Sequence, residues 1–149
     1  MKTAIDISCW RVAVKYAAQK GIYEAQVYEG IPYVLRTIKC SGCKMAVATL
    51  KKQSLADQIL SNFSLDEYFD VIVGMDESEK YTKKKTIELT IEAVNVLHCV
   101  MIGDSEYDYQ GALAAGVDFV GVFYGFGLNK EIEYPFMTVD SPKELLGLV

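Results

Sequence analysis

Four short apolar runs, separated by segments with helical spacing, constrain the fold of this chain more than any other feature. Runs that are hydrophobic throughout are typical of parallel strands buried on both faces of a sheet. Strands that alternate with amphipathic helices indicate an α/β protein. The pattern predicts a three-layer, Rossmann-like parallel sheet with helices on both faces. The predicted strands are residues 45–49, 69–74, 99–103 and 118–122.

The segments between these runs place apolar residues three or four positions apart, as amphipathic helices do. Pro32 suits the first turn of a helix, and Gly42 and Gly116 suit helix ends. Ser141 followed by Glu144 matches a capping box at the start of a last helix. The predicted helices are residues 10–20, 30–42, 54–62, 83–94, 109–115 and one that opens at Ser141.

Composition narrows the class of protein further. The 149 residues amount to about one domain, and 51% of them are hydrophobic, which excludes a disordered chain. No apolar run approaches the ~20 residues that span a bilayer. The net charge of −5 argues against nucleic acid or an anionic membrane as a partner. Asp6 and Arg11 interrupt any apolar N-terminal stretch, so no signal peptide is expected and a cytoplasmic location is predicted.

The cysteines and the single histidine give weaker signals. Cys40 and Cys43 have CxxC spacing but precede a strand rather than a helix. A zinc site would need two more ligands, for which only the adjacent His98 and Cys99 are available. Ordinary reduced thiols are the preferred interpretation, with a redox or zinc site as the alternative. His98, just before an apolar run, is expected at a strand edge.

Polar residues follow or flank the strands where ligands bind in parallel sheets, at the carboxyl ends. Asp104 and Asp108 suit a divalent cation such as Mg²⁺, Thr49 suits a phosphate oxygen, and one lysine of the run 83–85 suits the neutralisation of phosphate. Each has a simpler interpretation: Asp104 and Thr49 as helix caps, and the lysines at 83–85 as a solvated charge run. Lysines at a helix start oppose the helix dipole, which suggests that one of them serves another purpose.

Taken together, these segments resemble the haloacid dehalogenase (HAD) superfamily of phosphatases, most closely its phosphoglycolate phosphatase-like group. The resemblance covers roughly residues 10–149, and the motifs occur in family order. The segments that carry it are residues 28–32, 46–49, 68–74, 100–104 with Asp108, 111–117 and 122–127.

The resemblance implies a role for each matching residue. Thr49 corresponds to the phosphate-binding residue of the second motif, and Lys83 to the lysine of the third, with Lys84 in reserve; both are thereby implied in catalysis and substrate binding. Asp104 and Asp108 correspond to the acidic residues that hold Mg²⁺, with Asp104 as the more direct ligand. Relatives often read Thr-Ser-Lys-Pro at the second motif, whereas this chain reads Thr-Leu-Lys-Lys.

The family's first motif, Asp-x-Asp-x-Thr, supplies the nucleophile and a second, acid/base aspartate, and no segment here matches it. In the nearest candidate, Asp6-Ile7-Ser8, a serine stands in the place of the second aspartate. Serine cannot replace a carboxyl group in acid/base chemistry at neutral pH. We therefore assign no nucleophile. The preferred interpretation takes residues 1–27 as a cap remnant and linker, with Asp6 in or before a cap helix, and residues 28–149 as the core; Asp6 as a displaced nucleophile is the alternative.

A missing first strand would leave two unpaired strand edges at the centre of the sheet. Three outcomes are expected: the edges pair directly, the N-terminal segment fills the slot, or chains self-associate. The predicted function is Mg²⁺-dependent hydrolysis of a small phosphorylated metabolite, with activity impaired by the absent nucleophile. A non-catalytic protein that binds phosphate and Mg²⁺, or a truncated phosphatase, is the alternative.

Overall fold

The strands and helices follow the predicted alternation along the chain. The structure is a computed structural model that describes the backbone of residues 4–7, 14–16 and 25, and residues 26–78 and 80–149 in full. Two short 3₁₀ segments, Asp66–Tyr68 and Pro142–Leu148, complete the described elements. The strands are β1 Ala4–Ile7, β2 Val14–Tyr16, β3 Ala25–Val27, β4 Lys44–Lys52, β5 Val71–Met75, β6 Cys99–Gly103, β7 Asp118–Val122 and β8 Met137–Val139. The helices are α1 Ile31–Cys40, α2 Gln53–Asn62, α3 Lys83–Val94 and α4 Glu106–Ala115.

Six of the strands form one parallel sheet in the order β5-β4-β1-β6-β7-β8. β2 and β3 form a separate antiparallel pair. The predicted α/β fold with a parallel sheet is therefore confirmed. None of the helices in the described ranges is long and apolar enough to cross a membrane.

The central strand corrects one expectation. The first strand was expected to be missing, with Asp6 in a cap helix, but β1 lies between β4 and β6 and pairs with both. Asp6 is in register with Ala46 on β4 and with Met101 on β6. Of the three outcomes considered, the N-terminal segment fills the slot, which satisfies the backbone groups of both neighbouring strands.

Alternate residues of each strand face opposite sides of the sheet, so the core has two halves. We call the side covered by α1, α2 and the C-terminal 3₁₀ segment the aliphatic face, and the side covered by α3 and α4 the site face. On β4, Val47 packs into the aliphatic face and Ala48 into the site face. The other buried members of the two faces include Ile31, Leu35, Met45, Ile59, Ile102 and Leu145 on the first, and Ile87, Met101, Ala112 and Phe119 on the second.

The predicted helix at residues 10–20 is wrong where it can be compared, because Val14–Tyr16 is a strand; the rest of it lies outside the described residues. Valine and tyrosine favour strands, and pairing with β3 outweighs the apolar spacing. At the other end of the chain, the predicted last helix is the 3₁₀ segment. Ser141 stands at the predicted N-cap position but makes no side-chain capping bond, since its hydroxyl donates to the Glu144 carboxylate at 2.8 Å.

Candidate active site

The carboxyl ends of β4 and β6 and the first turns of α3 and α4 meet at one edge of the sheet. Ligands of open α/β sheets bind at this edge. All four residues singled out from the sequence lie there and are buried: Thr49, Lys83, Asp104 and Asp108.

Thr49 lies where the regular pairing of β4 with β5 is interrupted. The strand does not end at Thr49 as predicted but runs to Lys52, with a register shift between Ala48 and Lys52. Bulges of this kind redirect side chains near functional sites. The Thr49 hydroxyl accepts a hydrogen bond from the Lys51 amide at 3.2 Å, and helix α2 is capped at Lys52 instead. Thr49 is therefore not the cap of that helix, and its hydroxyl can also donate to a ligand.

Lys83 is buried at the first position of α3, where its charge opposes the helix dipole. Its Nζ donates to the Ala48 carbonyl at 2.8 Å and forms a salt bridge with Asp108 Oδ1 at 3.0 Å. Lys84 points elsewhere, since it is half-exposed and pairs with Glu88 within the same helix. The structure therefore brings Lys83, and not Lys84, to the edge occupied by the two aspartates.

Asp108 lies in the first turn of α4, where a negative charge is favoured by the helix dipole. One carboxylate oxygen, Oδ1, meets Lys83, and the other, Oδ2, accepts a hydrogen bond from the Ser105 hydroxyl at 2.7 Å. The Ser105 oxygen in turn caps the helix by accepting the Asp108 amide at 3.2 Å. Both oxygens of Asp108 thus have protein partners, and this carboxylate holds Lys83 in position.

Asp104 has a different environment, although it is fully buried directly after β6. Its Oδ2 accepts a hydrogen bond from the Phe126 amide at 2.9 Å. Its Oδ1 is buried and has no hydrogen-bond partner among the described residues. A buried carboxylate oxygen without a partner is costly, and each such atom calls for an explanation.

A bound cation would explain the Asp104 oxygen. Mg²⁺ takes oxygen ligands and is usually held by one or two carboxylates together with substrate phosphate. The residues present therefore fit this ion, because Asp104 Oδ1 would supply an oxygen ligand at the same sheet edge as the charge of Lys83. Within the described ranges, no three His, Cys, Asp or Glu side chains cluster as a complete protein-made metal cage would require.

A buried tyrosine lies beside the Asp104 carboxylate. The Tyr124 hydroxyl has no hydrogen-bond partner among the described residues, and its ring meets Tyr28 edge to face, with 5.2 Å between the ring centroids. Burial raises the pKa of Tyr124 well above its usual range, and the neighbouring Tyr28, Asp104 and Glu144 add to the increase. The phenol is therefore neutral, and it adds no charge to the site.

The weaker candidates lie away from this edge. His98 is exposed immediately before β6, at the opposite end of the strand from Asp104. Cys40, Cys43 and Cys99 form no disulfide within the described residues.

Two contributors were missed by the sequence reasoning. Ser105 had a readable signal, because Ser105-Glu106-Tyr107-Asp108 has the S-x-x-D spacing of a capped helix start. The Phe126 contribution had no such signal, because a backbone amide can belong to any residue type.

The parallel sheet, with the carboxylates, the lysine and the hydroxyl at its carboxyl edge, defines an α/β protein with a polar site where open sheets of this class bind ligands. Comparison with known families makes the assignment specific, since the profile of the Haloacid dehalogenase-like hydrolase family matches residues 2–122. The chain belongs to this family. The match begins before β1, which agrees with the position of that strand at the centre of the sheet.

Individual relatives carry several activities. The chain is 36% identical over 115 residues to a 5'-nucleotidase of Pseudomonas aeruginosa, covering 75% of this chain and 52% of the relative. It is 30% identical to a phosphoglycolate phosphatase of Colwellia psychrerythraea, covering 83% and 57%. A crystal structure described as a predicted phosphatase from Clostridium acetobutylicum superposes with a TM-score of 0.78 at 38% identity, covering 87% and 62%. The chain thus spans a little over half the length of these curated relatives.

Proposed function

We propose that this chain is a phosphatase-family core that binds Mg²⁺ and the phosphate group of a small phosphorylated metabolite, and that its turnover of phosphate monoesters is low. One observation carries the proposal: a buried Asp104 oxygen has no partner among the described residues, and it lies at the same sheet edge as the buried Lys83–Asp108 pair. The relatives that act on small phosphorylated compounds support the substrate class.

Each residue has a distinct part in the proposed site. Asp104 would hold Mg²⁺, which supplies positive charge against the phosphate. Lys83, positioned by Asp108, adds a second positive charge. Thr49 donates its hydroxyl to a phosphate oxygen. Such fixed positive groups stabilise the charge that develops on a transferring phosphoryl group. Direct ligation of Mg²⁺ by Asp108 stays a prediction, since Lys83 and Ser105 take up its oxygens in this structure.

The proposal of low turnover rests on the first motif. Covalent phosphoryl transfer needs a nucleophile, which the family resemblance implies is the leading aspartate of that motif. On the strand register, Asp6 is level with Ala46 and Met101, each three positions before Thr49 and Asp104 respectively. With about 3.3 Å of rise per residue, the Asp6 backbone lies about 10 Å short of the site edge. Serine at position 8 also removes the acid/base carboxyl.

Binding and turnover are tested separately. Isothermal titration of the purified chain with MgCl₂ should show binding that Asp104→Asn removes, because the neutral amide is a much weaker ligand. Inorganic phosphate should bind in the presence of Mg²⁺ and more weakly to Lys83→Met. Hydrolysis of p-nitrophenyl phosphate and phosphoglycolate should be slow and should not change with Asp6→Asn.

The outcomes contradict different parts of the proposal. Fast hydrolysis that Asp6→Asn abolishes would make Asp6 the nucleophile and would overturn the low-turnover part. Failure of the wild-type chain to bind Mg²⁺ would overturn the proposed site itself.

The absence of the first-motif carboxylate pair favours a second candidate, a non-catalytic protein that binds phosphate and Mg²⁺. Binding of both ligands with no hydrolysis above the Asp104→Asn background would establish it. Slow hydrolysis that disappears in Asp104→Asn would exclude it.

A further inference from the structure

The segment 124–127 surrounds Asp104, and we call it the Asp104 loop. It follows β7 and reaches back across the end of β6 to the carboxylate. Phe126 has 60% of its surface exposed, yet its backbone amide donates a hydrogen bond to Asp104 Oδ2. The loop is therefore held by its backbone rather than by burial of its aromatic side chain.

The glycines of the loop make this close approach possible. A Cβ atom on Gly125 would lie 2.2 Å from Asp104 Cβ and 2.6 Å from Asp104 Oδ2. A Cβ atom on Gly127 would lie 2.5 Å from the Asp104 carbonyl oxygen. Contacts this short do not occur between real atoms, so any side chain at Gly125 must displace Asp104 or the loop.

We infer that the Asp104 loop is a positioning element for the metal ligand: the Phe126 amide occupies Oδ2 and fixes the rotation of the carboxylate, so that Oδ1 alone is presented to Mg²⁺. This inference rests on the proposed function, because it assumes that Asp104 holds the ion. The division between the two oxygens supports it, since one oxygen is bonded to the loop and the other is buried without a described partner.

The physical reason for such an arrangement is preorganisation. A carboxylate that can rotate must be fixed when the ion binds, and this ordering opposes binding. Groups that hydrogen-bond to metal ligands orient them, and their loss typically weakens metal affinity by about 10- to 100-fold. A neutral amide donor also orients Asp104 without placing a competing charge next to the ion.

The test is a comparison of two glycine-to-alanine variants, with Mg²⁺ affinity measured by titration calorimetry. Gly125→Ala should weaken Mg²⁺ binding by about 10- to 100-fold. Gly147→Ala is the matched control, because a Cβ atom there meets nothing within 4 Å, and its affinity should equal that of the wild type. A folded Gly125→Ala chain with wild-type affinity would overturn the inference, and so would an equal loss in Gly147→Ala.

A measurement on the wild-type chain decides the matter if Gly125→Ala does not fold. In ¹⁵N-resolved NMR spectra, the Phe126 amide proton should lie downfield, exchange slowly for its exposed position, and move upfield in Asp104→Asn. The inference would be overturned if the Phe126 amide proton exchanged as fast as amides in an unstructured loop and kept its chemical shift in Asp104→Asn. Neither measurement depends on turnover, so the inference can be tested separately from the proposed function. If the wild-type chain binds Mg²⁺ and Gly125→Ala binds it equally well, the inference is contradicted while the proposed function stands.

Discussion

The two faces of the sheet have different roles, although the same strands contribute side chains to both. The aliphatic face is filled with large side chains that are fully buried, among them Ile31, Leu35 and Ile102. The site face has fewer buried apolar residues, and two of them, Ala48 and Ala112, are small, beside Ile87, Met101 and Phe119.

Small residues on the site face leave room for polar groups in the core. Lys83 and Asp108 are buried there, and Thr86 and Thr90 bond to carbonyls of their own helix at 2.8 and 2.7 Å. Stability therefore comes mainly from the aliphatic face, whereas the site face has fewer apolar contacts and accommodates a charged pair.

Among single substitutions, Lys83→Met should cause the largest loss of stability on the site face. It leaves the Asp108 carboxylate buried without its charged partner, and breaking a buried pair in this way costs about 3–5 kcal/mol of unfolding free energy. Lys84→Met is the control, because its pair with Glu88 is half-exposed and such pairs contribute about 0.5 kcal/mol or less. Urea unfolding monitored by circular dichroism checks both. Similar losses for the two variants would contradict the assignment of Lys83 to a buried pair.

Leu35→Ala tests the opposite face. Leu35 is fully buried in α1, and truncating a buried leucine costs about 2–5 kcal/mol through lost contacts and a residual cavity. Because Leu35 is on the far side of the sheet, the Mg²⁺ affinity of the folded fraction should stay at the wild-type value. A loss of affinity measured well below the melting temperature would show that the two faces are not independent.

Gly111→Ala tests whether the position of Lys83 on the site face determines phosphate affinity. A Cβ atom there would lie 2.5 Å from Lys83 Cγ, so the lysine must move. Overpacking lowers the free energy of unfolding by about 1–3 kcal/mol, and the higher helix propensity of alanine offsets about 1 kcal/mol of this loss. Stability should therefore fall little, while phosphate affinity falls clearly. Equal phosphate affinity in Gly111→Ala and Gly147→Ala would contradict the proposed role of Lys83.

Tyr124→Phe should have the smallest effect at neutral pH. It removes a buried hydroxyl that has no described partner, so stability should be unchanged or rise by about 1 kcal/mol. The pKa of Tyr124 is raised on folding, so above pH about 10 the unfolded tyrosine loses its proton while the folded one keeps it. This residue therefore lowers stability as pH rises past that value. Melting temperatures at pH 8 and 10.5 should fall less in Tyr124→Phe than in the wild type, and an equal fall would contradict the burial of the phenol.

The sequence predicted the sheet well because its strands are buried on both sides. Cys99–Gly103 and Asp118–Val122 begin and end where the apolar runs do, and so does helix Lys83–Val94. The grouping of Asp104 and Asp108 with Lys83 at one edge also followed from the strand order along the chain.

The remaining features depend on tertiary contacts that no local pattern encodes. Ala4–Ile7 is too short to be read as a strand alone, and it becomes one because β4 and β6 offer unpaired edges on both sides. Helix α4 starts at Glu106 rather than at the predicted Tyr109, because Ser105 supplies the cap before any apolar spacing begins. The amide of Phe126 acts through the backbone, which carries no side-chain signal.

The position of β1 also bears on how the chain folds. Ala4 pairs with Cys99, so the central strand precedes most of the chain yet must wait for β6 to be made. Pairings between residues so far apart in sequence slow folding, because a long loop must close before the contact stabilises anything. During synthesis, β1 thus leaves the ribosome long before β6, the strand that it needs on its second edge.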